Sequence, residues 1–158
     1  MVYWQDQTSK KAYLTTFNID DTQNTVELPI EEDHDFGTAV AGDSGEIYYV
    51  TFQINPVPDN KRSIIDAFIY RSTVDGTTIS KEALLTDAYN CNIYEYFGHS
   101  HLVYNPNQNQ PFVAVHLART MTRSGDGLNH QGSWMQFFDP TTLEVTRPDW
   151  VSSSYDYA

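Results

Sequence analysis

Four of the five histidines in this 158-residue chain, His99, His101, His116 and His130, fall between Phe97 and Gly132. Neutral imidazoles gathered at one edge of a fold are ligands for a divalent transition metal such as zinc, copper, iron or manganese, and Asp33, Asp35 or Asp126 can complete such a set. A metal held there would activate water for hydrolysis or polarise a sugar carboxylate. The same histidines can instead satisfy buried backbone groups or do acid–base work directly. No His-Glu-x-x-His occurs, so the pattern names a cluster and not an ion.

A second group, Arg119, Arg123, Asn129 and Gln131 with Trp134, offers guanidinium and amide donors that hold a carboxylate or a sugar. Trp134, Trp150, Tyr94 and Tyr96 can stack on sugar rings, although aromatics in strands also serve packing. Arg119 and Arg123 can equally balance local acid. Ser100 alternates away from His99 and His101, which disfavours a Ser–His nucleophile pair, and Cys91 lacks an activating partner. No residue is assigned as catalytic. Glu31-Glu32-Asp33-His34-Asp35 reads as a solvated loop or a calcium site, without the oxygen spacing of an EF-hand.

Bulk properties narrow the partners. A net charge of −12, from 21 acids against nine Lys plus Arg, excludes a nucleic-acid partner that needs a basic surface. The single cysteine excludes an intrachain disulfide and a Cys-rich zinc site. No apolar run approaches the roughly 20 residues of a membrane span, and no signal peptide follows Met1. The compartment stays open: an extracellular or periplasmic setting requires a targeting segment outside this sequence.

The elements that must position these residues are short strands, because apolar residues come in bursts and aromatics reach 14%. Candidates are Val2 to Gln5, Lys11 to Ile19 and Thr25 to Leu28; then Phe36 to Ala41, Glu46 to Ile54, Ser63 to Tyr70 and Thr78 to Leu85. After Phe97-Gly98, which echoes Phe36-Gly37, come a strand to Tyr104, Pro111 to Leu117, Ser133 to Phe138 and Leu143 to Val145. Lys81-Glu82-Ala83-Leu84-Leu85 has helical character, but the Val74-Asp75-Gly76-Thr77 turn before it favours a strand. Arg147-Pro148-Asp149-Trp150 is expected to end the last strand. With strands labelled a to d, residues 1–30 read b-c-d, 36–86 and 97–147 read a-b-c-d, and 148–158 starts a further unit or forms a tail.

Such four-stranded antiparallel units resemble the blades of the β-propeller superfamily over nearly the whole chain. Phe97-Gly98-His99-Ser100 and Asn129-His130-Gln131-Gly132 resemble motifs of poorly characterised bacterial propeller-like repeat proteins. Ser72 to Thr78 misses Asp-box spacing by one residue, and no Trp-Asp or kelch signature appears. The resemblance implies an all-β, propeller-type chain of about three blades. A ring needs four or more, so the chain is either a fragment or part of a homo-oligomer that completes the ring; a β-sandwich is the alternative.

The resemblance also implies a ligand site at the end carrying the d-a and b-c connections, at or near which all five histidines fall. The expected function is a non-catalytic recognition module binding a glycan, peptide or protein partner there. Alternatives are a metal-dependent hydrolase or lyase using His99, His116 and His130, and a structural scaffold. A hairpin centred on Asn107 and Gln108 pairs His99 with His116 and His101 with Ala114, leaving His101 packed or lining a channel. Thr38 and Tyr49 occupy the corresponding places in the Phe36 unit.

Overall fold

β-Branched and aromatic residues form strands wherever they cluster, and Asp-x-Thr turns separate many of them. A computed structural model describes residues 1–56, 63–90, 100–107, 111–122 and 129–153. Among them all regular structure is β, in three antiparallel meanders, and no helix is long and apolar enough to cross a membrane. The first sheet holds β1 (Val2–Gln5), β2 (Ala12–Phe17) and β3 (Gln23–Leu28). The second holds β4 (His34–Ala41), β5 (Glu46–Pro56), β6 (Ser63–Thr73) and β7 (Thr78–Asn90). The third holds β8 (Ser100–Asn105), β9 (Phe112–Thr122), β10 (Asn129–Phe138) and β11 (Val145–Ser153).

Lys81 to Leu85 is therefore strand, paired along β6. β11 also differs from expectation, running through Arg147 and Pro148 to Ser153. It is an edge strand, and Pro148 falls where its register with β10 breaks between Met135 and Phe137. An edge or a bulge is where a residue without an N–H is tolerated. In β4 the register steps from Phe36 opposite Thr51 to Thr38 opposite Val50, so Gly37 is the extra residue of a bulge. Thr38 consequently opposes Val50, and it is Ala39 that opposes Tyr49.

Four turns share one chemistry. Asp6, Asp20, Asp75 and Asp139 each accept, through Oδ1, the backbone N–H of the threonine two residues on, at 2.8, 3.1, 3.1 and 2.7 Å. Asp side chains favour turns because they bond their own backbone in this way. The turns at Asp6 and Asp139 match further: each carboxylate also takes the next N–H, and Lys10 and Leu143 both have φ near +60°.

The second sheet lies between the other two. Tyr48, Val50 and Phe52 of β5, with Ala67 and Ile69 of β6, pack against Val113, Val115, Phe138 and Leu143 of the third sheet and its last turn. Ile47 and Tyr49, with Tyr70 and Ala39, pack against Ala12, Leu14 and Leu28 of the first. Strand alternation makes β5 two-sided. Each fully buried aliphatic side chain contributes about 1.5–3 kcal/mol. The Tyr49 hydroxyl donates to the Pro29 carbonyl at 2.8 Å, and the Tyr48 hydroxyl to that of Pro140 at 2.8 Å. Arg71, paired with Glu46 at 3.1 Å, donates to the Thr141 carbonyl at 2.9 Å. The β4 and β8 strands, first in their sheets, lie side by side.

Two substitutions probe this stacking. Gly76 has φ +88°, and a Cβ there would stand 2.6 Å from the Glu27 carbonyl oxygen of the first sheet. Gly76→Ala should lower stability by roughly 1–3 kcal/mol. Tyr49→Phe, which strips the Pro29 carbonyl of its donor, should lower it by about 1–2 kcal/mol. Urea denaturation measures both, and parental stability in either variant would contradict the packing described.

Candidate functional site

Two groups of functional side chains stand out among the described residues. The first surrounds His34, at the start of β4. Its Nδ1 lies 3.0 Å from the Thr51 hydroxyl, its ring stacks on Phe68 at 5.3 Å, and its Nε2 lies 3.5 Å from Glu31. Lys81 bonds Glu31 and sits 4.1 Å above the Phe68 ring. Gln5 ties this corner to the first sheet by donating to the His34 carbonyl at 3.1 Å and accepting the Phe36 N–H at 3.0 Å. Lys10 adds an ion pair to Asp35 at 2.8 Å.

A Thr–His–Glu order invites comparison with nucleophilic catalysis, but His34 is 2% exposed and Thr51 0%. A substrate has no access to either atom, so His34 is a packed histidine whose polar atoms are satisfied. A neutral ring with its proton on Nε2 accepts from Thr51 and faces the Glu31 carboxylate. Burial is the largest influence on the imidazole, and it holds the group below its ordinary value of 6.5 despite the opposing pull of Glu31. Within the acidic run, Glu31 and Asp35 are engaged by lysines.

The second group is on the third sheet. His101 stands directly opposite His116, with ring centres 5.9 Å apart. This corrects the expected register by two residues: Ser100 opposes Leu117, and Ala114 opposes Val103. The strand runs one residue beyond Tyr104, pairing Asn105 with Phe112, and the Asn105 side chain then accepts the Asn107 N–H at 3.1 Å as the chain leaves the ladder. Leu102 and Tyr104 pack inward, Tyr104 stacking on Tyr48 at 5.8 Å. A shift of two keeps every side chain on its expected face, where a shift of one would have inverted them all. His101 is exposed and not packed, whereas His116 is half-buried. Burial, with His101 as the lesser cause, keeps the His116 imidazole below 6.5.

The remaining residues singled out from the sequence are located by backbone alone or not at all. Arg119 opposes Gly132, Asn129 opposes Thr122, His130 opposes Met121 and Gln131 opposes Thr120, which gathers them towards one end of the β9–β10 hairpin. Trp134 opposes Leu117 and Val151. His116 opposes Met135, five positions along β10 from His130, or about 17 Å at strand rise. His99, Arg123, Asp126, Cys91, Tyr94 and Tyr96 lie outside the described residues, as do the side chains of Arg119, Asn129, His130, Gln131, Trp134 and Trp150. Among the described residues no group of three or more His, Cys, Asp or Glu could hold a metal ion. The residue overlooked in the sequence is Met135, visible only once the register is known.

The depressed histidines set a pH dependence. As pH falls, the unfolded chain takes up protons near 6.5, before the folded state does. Stability is therefore full above that value and is lost as pH drops through it towards the lower folded values. Urea midpoints should fall between pH 7.5 and 5.5, and the fall should shrink in a His34→Asn, His116→Asn double variant. A midpoint that is flat or rises on acidification would contradict the assignment. Comparison of the chain with protein-family models, curated proteins and solved structures finds no match.

Proposed function

We propose that the chain is a non-catalytic recognition module of β-propeller type, which binds a glycan, peptide or protein partner at one end of its stacked sheets. The observation that carries this reading is the arrangement of the second and third sheets. Both are four-stranded meanders, they pack face to face, and their first strands run side by side. Blades in a propeller pack in this way, each burying its apolar rows against its neighbours.

Strand direction puts the start of β8, the end of β9 and the start of β10 towards the same end of the third sheet, with Ser100 opposite Leu117 and Asn129 opposite Thr122. Arg119, Asn129 and Gln131 take their positions near that end. Guanidinium and amide groups there would supply planar, directional donors to a carboxylate or a sugar hydroxyl. The acidic surface disfavours polyanionic partners and leaves neutral or cationic ones.

Glycan and peptide arrays probed with the purified chain should show saturable binding that falls at least about tenfold in an Arg119→Ala, Asn129→Ala, Gln131→Ala variant, in line with removing several directional hydrogen bonds. Absence of binding on both arrays, or binding indifferent to the triple substitution, would overturn the proposal.

A further inference from the structure

His101, His116 and Met135 come from three different strands, yet the register aligns them in one row across the third sheet. His101 opposes His116 on β8 and β9, and His116 opposes Met135 on β9 and β10. Directly opposed residues in antiparallel strands present their side chains to the same face. That face is the outer one, since Val115, the residue preceding His116, is buried against the second sheet. Neighbouring strands lie about 4.8 Å apart, so the row spans roughly 10 Å between its outer Cα atoms, within joint reach of two imidazoles and a flexible thioether.

We propose that His101, His116 and Met135 form a binding site for monovalent copper on the outer face of the third sheet. Two ring nitrogens that share one ion at about 2.1 Å each leave their ring centres roughly 5–6 Å apart. The 5.9 Å separation of His101 and His116 meets that requirement without rearranging the strands. His101 is exposed and His116 and Met135 are half-buried, so an ion can reach the row from solvent.

The donor set selects the ion. A thioether is a soft ligand that favours Cu(I), whereas hard cations require oxygen donors. No carboxylate stands in the row, and the next row on the same face is Val103, Ala114 and Phe137, ending in Arg147 opposite Phe137, so it supplies no oxygen donor either. Two imidazoles and one thioether give a three-coordinate soft site. Zinc would find only two of its preferred ligands there and would have to fill its tetrahedron with water. The site does not depend on the recognition reading, because its residues are distinct from Arg119, Asn129 and Gln131.

Anaerobic titration of the full chain with Cu(I), in competition with a chromogenic Cu(I) chelator, tests the proposal, with Zn²⁺ titrated alone for comparison. The expected result is one Cu(I) per chain. Met135→Leu, which preserves side-chain volume, should weaken Cu(I) binding by about tenfold or more and change Zn²⁺ binding by less than about twofold. His101→Ala and His116→Ala should each weaken both ions, with circular dichroism showing that the strands persist. No stoichiometric Cu(I) binding would overturn the proposal, as would a Cu(I) site unchanged by Met135→Leu or by both histidine substitutions.

Discussion

Two consecutive tyrosines near the start of β5 hold the three sheets in their order. Alternation sends Tyr48 towards the third sheet and Tyr49 towards the first, and each hydroxyl finds a proline carbonyl at 2.8 Å on the far side. Pro29 and Pro140 both lie in connections, so their carbonyls are not committed to a strand ladder. A buried phenol without a partner would oppose folding, and here each partner belongs to a different sheet. Burial raises both groups, Tyr48 to about 12 and Tyr49 further, so both remain protonated donors across the physiological range. The Tyr49 ring also lies nearly parallel to Tyr70 at 4.8 Å, a second contact that fixes its direction.

That central commitment determines what the outer sheets are free to do. The second sheet has both faces covered, and two of its titratable groups are absorbed into packing: His34 against Phe68 and Glu46 against Arg71. The first sheet turns an aromatic pair outward, Trp4 on Tyr13 at 4.4 Å, braced by the Thr15 and Thr25 hydroxyls. The third turns out its histidine row, beside Arg147 laid over Phe137 at 4.2 Å. A polar group on an outer face keeps its hydration and its reactivity, whereas one buried on the central sheet depends on internal partners, which His34 finds in Thr51 and the Tyr70, Ser72 and Ser80 hydroxyls do not find. His34 and His101 illustrate the division within one residue type.

Strand identity was legible because it depends on local chemistry. The run of β-branched and aromatic residues from Ile47 to Phe52 and the turn before Thr78 were enough to place β5 and β7, even against the helix-forming Lys81 to Leu85. The repeated Asp-x-Thr at residues 6, 20, 75 and 139 was equally present in the sequence, and its shared hydrogen bonding explains why those turns look alike. Register was less legible. The β8–β9 connection carries no two-residue turn signature, and the strand continues one residue past Tyr104, so the pairing is centred one residue later than the Asn107–Gln108 turn indicated. The extent of β11 escaped for a different reason: Pro148 is a breaker in a central strand and harmless at a bulged edge.

Register, more than composition, therefore decides what the third sheet can do chemically. Read along the chain, His101, His116 and Met135 are separated by spacings that match no motif, and a search for clustered histidines points to His99 and His130 instead. The hairpin β8–β9 fixes the first pairing and β9–β10 the second, so two independent ladders must both be in register before the row exists. A slip of one residue in either would send one ligand to the inner face, against Val50 and Phe52, where the core excludes it. The inward anchors that prevent such a slip, Leu102 and Tyr104 on β8 and Val113 and Val115 on β9, are thus the residues that hold the outward ligands in line. Packing on one face of the sheet supplies the geometry of the other.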